Sequence, residues 1–114
     1  MGYTGIVKML LDAGAGANID EYEAKGWTAV NGASDNGHID NVELLIKHGA
    51  DINRCTTDGW SPLTNASDNG HTAVVRLLIE SGASFKVDGF TSLMAASDNG
   101  HTEIVQMLIQ AKVN

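Results

Sequence analysis

The hexapeptide Ala-Ser-Asp-Asn-Gly-His occurs three times, at Ala33–His38, Ala66–His71 and Ala96–His101, with a step of 33 residues and then one of 30. An internal period of that size marks stacked supersecondary units, so it limits the possible folds more than any single motif does. Gly, an aromatic residue, a hydroxyl residue and a short apolar run precede each copy: GWTAVNG from Gly26, GWSPLTN from Gly59 and GFTSLMA from Gly89. Apolar residues at helical spacing follow each one, with Val42, Leu45 and Ile46 recurring as Val75, Leu78 and Ile79 and then as Val105, Leu108 and Ile109. Each unit therefore reads as two short helices, and the stripe reads as core.

The local chemistry agrees. Thr28, Ser61 and Thr91 stand where an N-cap hydroxyl would accept from a helix amide, and Pro62 follows at the first helical position, where proline is tolerated. Gly37, Gly70 and Gly100 are placed to end the first helices, and Gly49 and Gly82 to end two of the second ones.

With those residues in place, the chain resembles the ankyrin repeats. WSPLTNASDNGH followed by LLIESGAS, and the earlier LLIKHGADIN, are similar to the family pattern of T-P-L-H-x-A, G-H, I-V-x-L-L and G-A-D-x-N. The resemblance implies an all-α solenoid of helix-turn-helix units joined by hairpin-like fingers. It divides the single domain 1–114 into a half repeat at 2–24, repeats at 25–57 and 58–87, and a last repeat at 88–114. It also implies that Ala33, Ala66 and Ala96 are small because two helices approach closely there, and that Gly-His forms the turn between them.

The pattern is not followed everywhere. Asn31, Thr64 and Met94 replace the family's inner-helix histidine, so its usual hydrogen-bond ladder is expected to be absent. Asn41 falls where Ile104 stands, and an amide buried there without a partner would cost roughly 1–3 kcal/mol, so it is expected to reach a backbone group or a water. The connecting fingers shorten along the chain, and the first carries Asp20, Glu21 and Glu23 around Tyr22. Gly2-Tyr3 aligns with Gly-His and Ile6, Val7 and Leu10 with the second-helix stripe, so the first unit lacks its first helix and one apolar face lacks a cover. At the other end, LIQAKVN reads as stopping within a finger, with Lys112 near the helix terminus.

Function is bounded by exclusion first. A formal net charge of -7 repels phosphate backbones and anionic bilayers, so neither nucleic acid nor a membrane surface is expected as partner. No apolar run is long enough to span a bilayer, and Cys55 alone cannot form an intrachain disulfide, which fits an intracellular, cytoplasmic setting. His38, His71 and His101 lie one unit apart, a spacing that suits turns capping backbone groups rather than a metal site. Cys55 has no histidine near it in sequence, Ser61 belongs to an N-cap, and Asp20 and Glu21 lack an apolar pocket. No phosphate-binding Gly-rich loop is present, so no enzyme, cofactor or metal is expected.

What remains is protein binding, which the family resemblance implies. The expected concave surface combines Trp27, Trp60 and Phe90 with Asp58 and Asp88, and with the pairs Asp35–Asn36, Asp68–Asn69 and Asp98–Asn99. Aromatic residues offer contact area and carboxylates favour basic or amphipathic partners. The plainer reading is that the aromatics pack on neighbouring fingers and the acids solvate a surface. A structural fragment or engineered scaffold that self-associates through Ile6, Val7 and Leu10 is the alternative function, and a regulatory segment of a larger protein is a third; the oligomeric state is expected to be monomer or weak homo-oligomer.

Overall fold

The computed structural model describes residues 26–83 and 89–113. Six helices follow one another there: α1 (Ala29–Asp35), α2 (Ile39–Lys47), α3 (Pro62–Asp68), α4 (Thr72–Glu80), α5 (Gly89–Asp98) and α6 (Thr102–Val113). They pair as α1/α2, α3/α4 and α5/α6, and the pairs stack so that α1, α3 and α5 form an inner row and α2, α4 and α6 an outer one. Neighbours in the inner row contact one another more extensively than neighbours in the outer row. The half repeat expected over 2–24, with Ile6, Val7 and Leu10, lies outside the described residues, as do Asp20, Glu21, Asp88 and the side chain of Phe90.

Two of the three expected hydroxyl caps form. Thr28 accepts from the Asn31 amide and Ser61 from the Thr64 amide, each from extended backbone (ψ 170° and 169°), with Pro62 opening α3. Thr91 is not a cap, because α5 begins two residues earlier, at Gly89. Only eight residues connect Glu80 to Gly89, against fourteen between Lys47 and Pro62. The shorter connection brings the helix start forward, and no proline at Ser92 enforces an extended residue before it.

The C-terminal end also differs from expectation. Gly49 and Gly82 end α2 and α4 at φ +90° and +92°, a conformation that L side chains avoid. The equivalent residue is Lys112, which lies within α6, so no glycine stops the helix, which continues to Val113 instead of entering a finger.

The core runs between the rows. Val42, Leu45, Val75, Leu78, Ile104 and Leu108 of the outer helices close on Val30, Ala33, Leu63, Ala66 and Ala96 of the inner ones. Ala33, Ala66 and Ala96 are each at most 1% exposed, the close approach that the small residues imply. In the outer stripe Ile46 and Ile79 flank the core, whereas Ile109 is 49% exposed. Helices α2 and α4 each have a further outer helix beyond them, and α6 has none among the described residues. Asn41 is fully buried and is not without a partner.

Candidate functional site

The three hexapeptides build the junctions between units. Each first helix ends in a glycine with φ between +73° and +76°, and the next residue, histidine, begins the second helix. That turn also contacts the unit that follows. His71 Nε2 lies 3.0 Å from the Asp35 carbonyl oxygen, and His101 Nε2 lies 3.1 Å from that of Asp68. A carbonyl oxygen only accepts, so Nε2 is the protonated nitrogen in both rings. Each ring fills the space that a side chain on the preceding glycine would need: a Cβ on Gly37 would sit 2.5 Å from His71 Nδ1, and one on Gly70 2.6 Å from His101 Cε1.

The Asp-Asn pair completes the contact. Asn69 Nδ2 donates to Asp35 Oδ1 at 2.7 Å and to the Asp35 carbonyl at 3.1 Å, while Asn99 Nδ2 donates to Asp68 Oδ1 at 2.7 Å. The same amides donate back to the carbonyl four residues earlier, Asn65 O and Ala95 O, which fixes their orientation. The middle hexapeptide is thus an acceptor to the unit after it, through Asp68, and a donor to the unit before it, through Asn69 and His71, while among the described residues Asp35 accepts and Asn99 and His101 donate. It acts as a latch as well as a hinge.

A second connection is buried in the inner row. Thr64 Oγ1 is 3.1 Å from Ser92 Oγ and 3.2 Å from Ser61 Oγ, and all three hydroxyls are buried. Thus the missing histidine ladder has a hydroxyl relay in part of its place. Asn31, one unit earlier, donates from Nδ2 to the Arg54 carbonyl at 3.1 Å.

Asp35, Asp68, Asn69 and Asn99, expected as partner-facing residues, are therefore brought together in the array's own junctions. Asn36 Nδ2 donates to Gly32 O, and neither it nor Asp98 takes part in a junction among the described residues. The finger aromatics are placed differently. Trp60 follows Gly59 in a turn closed by Thr56 N–H to Trp60 O at 2.9 Å and by Trp60 N–H to Thr56 Oγ1 at 3.3 Å. Gly26, before Trp27, is packed against the backbone of Thr56 and Thr57, so the two tryptophan-bearing turns are neighbours. Both tryptophans are half-buried, and Asp58 is exposed beside Trp60.

Sequence reasoning missed the latch, although its signal was present. A donor pair and an acceptor pair sit in one hexapeptide, repeated at the unit spacing. Cys55 lies 3.8 Å from the Asn53 carbonyl, and Ser61 is an N-cap. A shallow groove of about 420 Å³ between α2 and α4 is lined by Ile39, Glu43, Ala73, Arg76 and Leu77 among others, without a nucleophile-base pair. Among the described residues no three metal-ligating side chains gather, and no helix is long and apolar enough to cross a membrane.

Helix pairs stacked in two rows and joined turn to turn define a linear repeat protein, in which each unit touches only its neighbours. The family model for ankyrin repeats (three copies) matches residues 1–55 and 52–114, and the chain belongs to that family. No curated protein matches it significantly. Ankyrin repeats are generally protein-interaction modules, and the family is typically non-catalytic.

Proposed function

We propose that the chain is a non-catalytic protein-binding module that works inside the cell and engages a basic or amphipathic partner through its inner-row face and fingers. The observation that carries this reading is the pair of adjacent turns presenting half-buried Trp27 and Trp60, with exposed Asp58 alongside. A half-buried indole is held in place by its own packing and still offers area to a partner, the usual profile of an interface anchor. The excess of acid, fourteen residues against seven basic ones, favours a cationic partner and speeds its approach. Phe90 and Asp88 stand at the same sequence positions in the last unit.

Displayed helical peptides of basic, amphipathic sequence are the probe. Peptides selected on the intact chain are expected to lose at least roughly tenfold in affinity to Trp60→Ala and to Asp58→Lys, a change of about 1.4 kcal/mol. Asp68 is unsuitable for this test, since changing it also opens a latch. Selected peptides that bind both variants as tightly as the original chain would refute the site.

A further inference from the structure

Asparagine precedes glycine in every hexapeptide, at Asn36–Gly37, Asn69–Gly70 and Asn99–Gly100. The pair carries a reaction of its own. Glycine has no Cβ to shield its backbone nitrogen, which closes readily on the asparagine side-chain carbonyl carbon one residue earlier when the chain is free to turn. Asn69 and Asn99 are exposed to water, and both have their junction partners among the described residues.

The folded junction restrains both reacting groups. The nitrogen that has to leave, Asn69 Nδ2, is held by Asp35 Oδ1 at 2.7 Å and by the carbonyls of Asp35 and Asn65, each at 3.1 Å. Asn99 Nδ2 is held by Asp68 Oδ1 at 2.7 Å and by the Ala95 carbonyl at 2.8 Å. The nitrogens that have to attack donate within their own turns, Gly70 to Ser67 O at 3.4 Å and Gly100 to Ser97 O at 3.2 Å. Ring closure also needs the Gly70 nitrogen on the Cβ side of the Asn69 Cα–C bond, and ψ of 2° places it beside the Asn69 backbone nitrogen instead. Attack therefore requires the latch to open first, a local event at an exposed turn rather than unfolding of the array.

We propose that Asn69 and Asn99 are sites of spontaneous conversion to aspartate and isoaspartate, that the latch sets the rate, and that the product does not latch again. The Gly70 nitrogen bonds to Asn69 Cγ, the bond from Cγ to Nδ2 breaks, and the proton lost by the glycine nitrogen leaves with Nδ2 as ammonia. Water then opens the resulting five-membered succinimide. Attack at Cγ leaves aspartate; attack at the Asn69 backbone carbonyl leaves isoaspartate, in which the main chain runs through the former side chain and is one carbon longer. Either product places a carboxylate where an amide donated to Asp35 Oδ1 at 2.7 Å, and like charges at that separation repel. The extra main-chain carbon also shifts His71 against its acceptor, Asp35 O, now 3.0 Å from Nε2. Asn99 follows the same course against Asp68, with His101 displaced in turn. Because ammonia is lost, a reversible junction becomes a permanently opened one, with one negative charge added at each event. This modification rests on the junction geometry and is independent of partner binding through the fingers.

The test incubates the full chain for weeks at neutral pH, folded and in guanidinium chloride, and follows each asparagine by peptide mass spectrometry, with enzymatic methyl transfer to detect isoaspartate. Asp35→Ala and Asp68→Ala are incubated beside it. The first frees Asn69 from its carboxylate and leaves Asn99 latched; the second does the reverse. Both asparagines are expected to convert in the folded chain, at least about tenfold more slowly than in the unfolded one. Asp35→Ala is expected to speed Asn69 alone and Asp68→Ala to speed Asn99 alone, each by about fivefold, because the rate follows the fraction of time that the latch is open. A folded chain that converts at neither site overturns the inference. So does a variant that speeds both sites alike, or neither. Asn69→Asp, the product of one route, is expected to unfold at lower denaturant than Asn69→Ala, and a midpoint equal to or above that of Asn69→Ala overturns the claim that the product does not latch again.

Discussion

Asn69 and Asn36 form a matched pair that isolates the energy of one latch. Both follow a seven-residue helix with nearly the same backbone, φ -94° and ψ 2° against φ -93° and ψ -1°. Both donate from Nδ2 to the carbonyl four residues earlier, at 3.1 and 2.9 Å. Among the described residues only Asn69 also reaches the preceding unit, through Asp35 Oδ1 at 2.7 Å and Asp35 O at 3.1 Å. Replacing each with alanine removes the same local capping bond, so the difference between the two variants is the contribution of the junction. A hydrogen bond to a charged group contributes about 1.5–3 kcal/mol when shielded, but Asn69 is exposed and Asp35 only half-buried, which lowers the expectation to about 1 kcal/mol. Asn69→Ala should therefore unfold at lower urea than Asn36→Ala at equal m, with a thermal midpoint lower by about 4–8 °C. Asp35→Ala should lose a similar amount, because it removes the carboxylate and keeps the carbonyl that His71 uses. The Asp35→Ala, Asn69→Ala double variant should lose little more than either alone, which is the signature of a shared bond. If Asn69→Ala and Asn36→Ala agree within about 0.3 kcal/mol, or if the double variant is additive, the latch does not couple the units.

Gly70→Ala and Gly100→Ala share the strain of φ +76° and +73°, but only the first pushes a Cβ to 2.6 Å from the His101 ring; it should be less stable by about 1 kcal/mol in urea unfolding, and equal losses would mean the ring yields freely. Thr64→Val removes the hydroxyl that bridges Ser61 and Ser92 in a buried setting, and should destabilise by about 1–3 kcal/mol in the same assay; a neutral result would mean the two serines find other partners. Ser67 Oγ is fully buried without a hydrogen-bond partner among the described residues, so Ser67→Ala should leave the stability unchanged or raise it by up to about 1 kcal/mol, whereas a loss of that size would show that the hydroxyl is bonded.

The helices were legible because helix formation is local. Apolar spacing, Thr28 and Ser61 as caps, and Gly49 and Gly82 as stops each act within a few residues of where they stand. The misplaced boundaries have local causes too. Thr91 has the right hydroxyl but a connection of only eight residues before its helix, and Lys112 stands where the stopping glycine would be. The latch was harder to see, because its bonds join residues 31 to 36 positions apart and depend on how one pair of helices sits on the next. Pattern reading located the hexapeptide and assigned its alanines and glycines correctly, since their roles are steric. It assigned Asp and Asn to a partner because a surface polar residue shows no acceptor in sequence.

The junction bonds bear on where specificity should be sought. An aspartate that accepts from the next unit, a glycine that makes room for its histidine, and an asparagine that reaches back form a set in which changing one member leaves another without its counterpart. Such mutual dependence ties Asp35 and Gly37 to Asn69 and His71, and Asp68 and Gly70 to Asn99 and His101, and it requires no shared ligand. A surface that distinguishes one partner from another needs residues that differ from unit to unit. In this chain the fingers supply them: Trp27, Trp60 and Phe90 after the turn glycines, Lys25, Asp58 and Asp88 before them, and connections of unequal length between. The hexapeptide bonds join one unit to the next, and under the proposed function the fingers are where a partner would be selected.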